Sequence, residues 1–465
     1  MRRSVIVVLA VVVATSSLAA CSHRPPTQPG PPSIVLILTD DQRFDTIAAM
    51  PKLQADLVRH GVTFANGFVS DPLCCPSRST ILTGQYSSQT GVWGNTDPYG
   101  GFKKFRDRTT VATWLRAKGY HTALFGKYLN GYERTTYIPP GWQQWDAIDG
   151  AASPYNLYYK YALNENGHLV HYGNSADDYS TNVLASKATD YIRKTSGPLF
   201  VYFAPYGPHT PTEPAPDDTD APVTLPFPRR PSYDEADVSD KPAWLRSHAS
   251  LGPTQIAYTH AEWDKEIRTD LSIDRAVDQI VQALDDTGRL HRTLIVFMSD
   301  NGFMLGEHRF INKVAPYEES IRVPFVVRYD PLVRTPRTDR HLVVNIDLAP
   351  TFAAVAGTDA PAAAGMDLLP LLASPAASWR DRFLIESKNL AGVPAYCGIR
   401  STGYAYIRYV QTGEQELYDL STDPYELTNV ASDPRSTKVM AGLRAEEGRL
   451  CRPPPPTGGS TATGG

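Results

Sequence analysis

Apolar residues fall along this chain in short unbroken runs rather than in strict alternation with polar ones. Ser33-Ile34-Val35-Leu36-Ile37-Leu38-Thr39, Leu199-Phe200-Val201-Tyr202-Phe203-Ala204 and Leu294-Ile295-Val296-Phe297-Met298-Ser299 are three such runs, and Thr122-Ala123-Leu124-Phe125 is a shorter fourth. Runs of this length, rich in β-branched and aromatic residues, predict strands buried on both faces. Between them the apolar spacing turns helical, over Thr110 to Lys118, Ser180 to Lys194 and Glu262 to Thr287. In the last of these, Ile267, Leu271, Ile273, Val277, Ile280, Val281 and Leu284 mark the apolar residues. Alternating strand and helix argue for an α/β fold around a parallel sheet. Ligands of such sheets bind beyond the carboxyl ends of the strands.

Each strand run stops at residues able to do chemistry. The first ends at Asp40-Asp41, another at Asp300-Asn301-Gly302, a third runs into Pro208-His209-Thr210-Pro211, and the shortest passes Gly126 to Lys127. That edge is the expected active site. Asp40, Asp41, Asp300 and Asn301 are hard oxygen donors, which suit Ca²⁺ or Mg²⁺ better than zinc. Strand-end Asp and Asn also serve as turn formers, but two such pairs around one edge favour a metal. Tyr128, Tyr132, Tyr137, Trp142, Trp145, Tyr155, Tyr158, Tyr159 and Tyr161 form an aromatic-rich stretch. It fits a sugar-stacking cleft or, more often for such residues, plain packing.

At 465 residues the chain is long enough for a large domain with a smaller companion. Its 45 basic and 49 acidic residues form no block of like charge, which argues against nucleic acid or an electrostatic membrane anchor. Arg2-Arg3, the apolar stretch from Val5 to Ala14, and Leu18-Ala19-Ala20-Cys21 describe a signal peptide too short to span a bilayer. The last four residues resemble the bacterial lipobox, in which Cys21 would be acylated. The expectation is an exported protein, a cell-surface lipoprotein or, without acylation, a secreted one. Of the remaining cysteines, Cys397 and Cys451 are candidates for a disulfide in an exported chain. The expected division is a signal peptide with lipobox at 1–21, a Pro-rich tether at 22–32, a catalytic domain at 33–375, a C-terminal subdomain at 376–451 and a disordered tail at 452–465. Pro211 to Pro242, rich in proline and mixed charge, is expected to be a surface excursion.

The most specific string is Cys74-Cys75-Pro76-Ser77-Arg78-Ser79-Thr80-Ile81-Leu82-Thr83-Gly84. Pro76 suits the first turn of a helix and Gly84 its C-cap, so residue 74 is expected near a helix N-terminus, which favours an anion. A plain cysteine nucleophile would gain from the same placement. The string resembles the signature of the sulfatase family, whose cysteine is oxidised to the aldehyde formylglycine. The likeness continues through Gly119-Tyr120-His121-Thr122 with Gly126-Lys127, then Ser299-Asp300-Asn301-Gly302, Gly306-Glu307-His308, Lys313 and Tyr317-Glu318-Glu319-Ser320-Ile321-Arg322-Val323-Pro324. Asp347-Leu348-Ala349-Pro350-Thr351 and Leu417-Tyr418-Asp419-Leu420, with Asp423-Pro424 and Glu426, extend it to roughly residue 430.

The resemblance implies an alkaline-phosphatase-like α/β fold. It would have a large mixed, mostly parallel sheet flanked by helices, and a small C-terminal subdomain with a short antiparallel sheet and a helix. It implies hydrolysis of the sulfate esters of a carbohydrate or aryl substrate after maturation by a formylglycine-generating enzyme. Asp40, Asp41, Asp300, Asn301 and the hydrated aldehyde at Cys74 would hold Ca²⁺ or Mg²⁺. Arg78 would stabilise the hydrate, Lys127 and Lys313 would bind sulfate oxygens, His209 would lie by the leaving-group oxygen, and His308 would reach the substrate. One departure is that Leu129 stands where many sulfatases carry a histidine that helps expel sulfate. Lys127-Tyr128-Leu129-Asn130 and the paired cysteines are similar to the N-acetylglucosamine-6-sulfatase branch. The base for the last step is left open, a water oriented by Asn130 being one reading. Two alternatives stand beside the sulfatase: a phosphonate monoester or phosphodiester hydrolase of the same superfamily, and a non-catalytic glycan-binding lipoprotein if Cys74 stays a thiol.

Overall fold

The longest apolar runs become neighbouring strands in one sheet. In the computed structural model, which describes residues 30–151 and 157–458, Ser33–Thr39 pairs in parallel with Leu199–Ala204 on one side and Thr293–Ser299 on the other. His121–Gly126 and Gln144–Asp149 extend the parallel block beyond Leu199–Ala204. Ala162–Glu165 and His168–His171 add antiparallel strands at that end, and Phe325–Arg328, Val62–Phe64 and Arg337–Asp339 complete ten strands at the other. The sheet is therefore mixed, with a continuous parallel centre.

Burial on both faces explains why the runs are unbroken. Ile34, Leu36 and Leu38 enter one core with Ile81, Leu115 and Phe352, while Val35 and Ile37 enter the other with Leu184, Ile273 and Val277. Ser180–Lys194 forms one covering helix as expected, and Val111–Ala117 another. The longest helix, Pro253–Asp286, starts nine residues before the expected Glu262. Its first turns are polar and half-exposed, so no apolar face announces them; Pro253 sits where proline is favoured in a first helical turn.

A second, antiparallel sheet is built from Arg382–Ser387, Tyr396–Ser401, Tyr404–Tyr409 and Gln415–Asp419, with Thr437–Leu450 as its helix. Cys397 and Cys451 are joined as a disulfide that ties this sheet to the end of that helix. The small sheet is fastened to the large part through buried polar contacts. Glu416 accepts hydrogen bonds from the hydroxyls of Tyr317 at 2.9 Å, Tyr409 at 2.5 Å and Tyr418. The Tyr396 hydroxyl donates to the carbonyl of Val314 at 3.1 Å.

Two expectations gain detail. The stretch from Pro211 to Pro242 runs over the surface, most of its residues exposed or half-buried, but it is anchored: Ser232 and Lys241 are fully buried, and Lys241 donates to the carbonyls of Glu426 and Leu427 at 2.9 and 2.7 Å. Much of the aromatic stretch is core. Tyr128, Tyr132 and Trp145 are no more than 2% exposed and meet edge-to-face at 5.1–5.9 Å, while Tyr158 and Tyr161 are wholly buried. Tyr155, Cys21 with the leader, and residues 459–465 lie outside the described residues. Among the described residues no helix is long and apolar enough to cross a membrane.

Candidate active site

Parallel strands point their carboxyl ends the same way, so Asp40, Asp300, Lys127 and His209 arrive at one edge of the sheet. Gly126 makes the turn into Lys127 with φ +116°, where a Cβ would collide with the carbonyl oxygen of Ala204. Cys74 is the first residue of the helix Cys74–Thr83, whose ten residues are all buried and which ends at Gly84 with φ 69°. The Cys74 Sγ lies 3.5 Å from Asp40 Oδ1 and 3.2 Å from Lys313 Nζ. Asp40, Asp41, Cys74 and His209 each bring a potential ligand atom within 4.8 Å of the others.

Charged partners knit this cluster together. Lys127 Nζ lies 2.5 Å from Asp40 Oδ2. Lys313 Nζ lies 2.7 Å from Asp41 Oδ1 and 3.4 Å from His209 Nε2. Arg78 donates from Nε to Asp300 Oδ2 at 2.7 Å and from Nη1 to the Lys127 carbonyl at 2.8 Å, with Nη2 at 3.5 Å from Asp40. Arg78 thus braces the carboxylates around Cys74. Asp41 adopts a left-handed backbone (φ 66°), its N–H donating to Asp300 Oδ1 at 3.1 Å. Val314, directly after Lys313, also has a positive φ of 71°. For a β-branched residue this is a strained conformation costing about 1–3 kcal/mol, of the kind that gathers at functional sites.

Asn301 donates from Nδ2 to Asp41 Oδ1 at 2.7 Å, while its own carbonyl oxygen Oδ1 is buried with no partner. A buried, unpartnered amide oxygen beside three carboxylates is what a hard cation needs. The donor set therefore fits a hard cation such as Ca²⁺ or Mg²⁺, for which Asp40, Asp41, Asp300 and Asn301 would be the ligands, with residue 74 adjoining them.

Burial and neighbouring charge set the protonation states. Burial alone would raise the Asp40 carboxyl, but Lys127, His209, Arg78 and Lys313 outweigh it and hold Asp40 below the usual carboxylate range. Asp300 is pushed up to about 6 by burial and by the Asp40 charge, with Arg78 opposing. Burial lowers His209 to about 4, against the pull of Asp41, so its imidazole is neutral near pH 7. Burial would lower Lys313, but Asp41 more than offsets it and the ammonium keeps its proton. Burial drives the Cys74 thiol upward. An unmodified Cys74 is therefore a poor thiolate, despite its helix N-terminus.

Neighbouring residues unmarked in the sequence refine the geometry. His209 Nδ1 lies 2.5 Å from the Thr210 carbonyl, which can only accept, so Nδ1 carries the hydrogen and Nε2 faces Lys313 with its lone pair. Tyr206 stacks on the imidazole at 4.9 Å and places its hydroxyl 3.0 Å from Nδ1. Asn95 Oδ1 accepts the Cys75 N–H at 3.0 Å. Its nearest sequence signal is an Asn twenty residues after Cys75, which spacing alone does not single out. Leu129 is packed in the core, and Asn130 faces Cys75, its N–H donating to the Cys75 sulfur at 3.0 Å and its Oδ1 accepting from that thiol at 3.5 Å. His308 makes its contacts elsewhere: it is fully buried, its Nδ1 lies 2.6 Å from Glu235 and its ring stacks on Tyr317 at 4.2 Å.

A family model described as Sulfatase matches residues 32–358, and one described as N-sulphoglucosamine sulphohydrolase, C-terminal, matches residues 306–451. Human N-acetylglucosamine-6-sulfatase is 31% identical over 482 residues, covering 91% of this chain and 86% of that protein. The N-acetylglucosamine-6-O-sulfatase of Bacteroides thetaiotaomicron is 25% identical, covering 86% and 82%. The extracellular sulfatase SULF-1 homolog of Drosophila melanogaster is 34% identical over 77% of this chain, but the chain spans only 33% of its length, and 52% of the Caenorhabditis elegans counterpart. Among solved structures, one in complex with its substrate D-glucosamine-2-N,6-O-disulfate superposes with a TM-score of 0.79 at 22% identity, covering 91% of this chain and 98% of that one. The phosphonate monoester hydrolase of Silicibacter pomeroyi gives 0.73 at 23%, covering 90% and 95%. At such identities the likeness is one of fold.

Proposed function

The chain belongs to the sulfatase family, and on that footing we propose that it hydrolyses sulfate esters of a carbohydrate, with an N-acetylglucosamine 6-sulfate as the first candidate. The observation that carries this reading is the placement of Cys74, 3.2 Å from Lys313 Nζ and 3.5 Å from Asp40, at the edge where Asp41, Asp300 and Asn301 converge. The amino-sugar preference rests on relatives named N-acetylglucosamine-6-sulfatase and on Lys127-Tyr128-Leu129-Asn130.

Oxidation of Cys74 to formylglycine supplies, as its hydrate, a hydroxyl nucleophile in place of a thiol that burial keeps protonated. A bound Ca²⁺ supplies positive charge that lowers the pKa of such a hydroxyl and balances the sulfate charge. The protein's own residues do the rest. Lys127 and Lys313 offer ammonium donors to sulfate oxygens. Arg78 keeps Asp300 and Asp40 in register by its charge-assisted contacts. Lys313, which holds its proton firmly, is the donor to the departing sugar oxygen, whose alkoxide is a much stronger base. His209, neutral and with the Nε2 lone pair facing Lys313 at 3.4 Å, is the group suited to accept a proton when sulfate is expelled, the task left open by Leu129.

The leader supports export, with Cys21 as the proposed lipid attachment point, and we keep the division into a catalytic part at 33–375 and a C-terminal part at 376–451 as a working one. The deciding experiment is the mass of the tryptic peptide His60 to Arg78 from protein made in its native host, followed by assay on sulfated amino sugars. A thiol-to-aldehyde change at residue 74 with release of sulfate supports the reading. An intact thiol in protein that nonetheless releases sulfate, or an aldehyde with activity only on phosphorus esters, sinks it.

A further inference from the structure

A second cluster of metal-ligating side chains lies outside the catalytic edge. His308, Glu319 and Glu426 are all buried, and one ligand atom from each falls within 4.8 Å of the others. They come from three separate stretches: the turn after Gly306, the short helix Glu318–Ile321, and the loop following the strand Gln415–Asp419. The fold thus brings the segments around residues 308–319 and the loop at Glu426 together at one point in the interior.

Two atoms there lack what buried polar atoms require. His308 Nε2 has no hydrogen-bond partner although the residue is 0% exposed, and Glu426 Oε1 has none although Glu426 is 1% exposed. No hydrogen bond joins the two to each other. The opposite ends of both side chains are fixed: His308 Nδ1 lies 2.6 Å from Glu235 Oε2, and Glu426 Oε2 accepts the Glu318 N–H at 3.0 Å. A carboxylate on Nδ1 holds the hydrogen there and leaves the Nε2 lone pair directed away, as behind metal-bound histidines.

Charge pairing leaves a matching gap. Glu235 has Lys241 at 3.2 Å, Glu307 has Arg43 at 2.9 Å, Glu318 has Arg400 at 2.6 Å and Glu319 has Arg230 at 3.2 Å. Glu426 has no ion pair among the described residues; the charges of Glu318 and Glu319 both bear on it, with Arg400, already paired to Glu318, opposing them. An uncompensated buried carboxylate is costly, and such groups are normally paired or bound to a metal.

We propose that His308, Glu319 and Glu426 bind a divalent transition cation, Zn²⁺ in the first instance, at a structural site distinct from the catalytic edge. One imidazole with two carboxylates suits zinc better than calcium. The ion fastens the loop bearing Glu426 onto the segment bearing His308 and Glu319. The inference does not depend on the sulfatase reading.

The test uses the full-length chain freed of metal with a chelator, then given Zn²⁺ alone. Native mass spectrometry should show a zinc equivalent that persists in Asp41→Ala and is missing from Glu426→Gln. Zn²⁺ should raise the melting temperature of the parent and of Asp41→Ala but not of Glu426→Gln. The proposal is overturned if Glu426→Gln holds as much zinc as the parent, or if Asp41→Ala holds none. Should Glu426→Gln fail to fold, zinc-edge X-ray absorption of Asp41→Ala decides. One nitrogen and carboxylate oxygens at about 2.0–2.2 Å support the site, and a shell without nitrogen ends it.

Discussion

The Lys313 ammonium lies 2.7 Å from both carboxylate oxygens of Asp41. This grip holds a proton donor against the same face of the cluster as Cys74, and it makes the lysine's role testable by the leaving group it serves. Lys313→Ala should lower kcat/KM on a sugar 6-sulfate by about 10²–10³-fold, the usual cost of losing one such charge-stabilising donor. On an aryl sulfate, whose phenol departs with little protonation, the loss should be much smaller. Equal losses on both substrates would remove Lys313 as the acid and leave it a sulfate ligand.

Asn301 supplies the only amide oxygen proposed for the catalytic cation. Treatment with EGTA should abolish sulfate release, and added Ca²⁺ should restore it. In Asn301→Ala the Ca²⁺ needed for half-maximal activity should rise by about 10–100-fold. An unchanged Ca²⁺ requirement would place Asn301 outside the cation site.

Buried carboxyls give stability a slope with pH. Burial pushes Glu386 up to about 7 from an ordinary value of 4.5, and Asp270 up to about 7 from 3.8. Both bind a proton more tightly folded than unfolded, so their contribution is greatest at acid pH and is lost as pH rises from about 4.5 through 7. Asp40 has the opposite sign, but its depressed pKa acts only below about pH 4, outside that window. Glu386→Gln, which imitates the protonated acid, should flatten the decline between pH 5 and pH 8 by up to about 3 kcal/mol in urea unfolding. A parent protein equally stable at both values would contradict this.

Trp145 is wholly buried among Tyr128, Tyr132 and Trp142, its Nε1 donating to the Tyr132 hydroxyl at 2.7 Å. Trp145→Ala should cost about 3–5 kcal/mol of stability. The KM of whatever folded protein remains should not change. A raised KM with an unaltered melting temperature would return these rings to the substrate cleft.

Strands buried on both faces have to be apolar at every position, which is why Ser33–Thr39 and Thr293–Ser299 could be placed from sequence together with the acidic residues that follow them. The start of Pro253–Asp286 could not, because its first turns face outward and carry no apolar stripe. The packing of the tyrosines was equally hidden, since composition does not tell a ring in the core from one in a cleft. His308 illustrates a further limit. Its position five residues before Lys313 gave no sign that its contacts would lie with Glu235 and Tyr317 instead of the catalytic cluster. Long-range pairing of side chains settles such cases, and a linear pattern does not carry it.

The hydrogen bond from Tyr396 to the carbonyl of Val314, and that from Tyr317 to Glu416, bear on how this chain can be recombined. The loop carrying Lys313 leans on the small sheet, so a graft that exchanges everything after residue 375 between relatives would part a lysine from the scaffold shaped to hold it. A seam before Gly306, where the second family match begins, would move both together. The natural unit of exchange is the C-terminal sheet with its lysine loop, and a shuffled library cut at that point should keep more working chimeras than one cut at the apparent domain border.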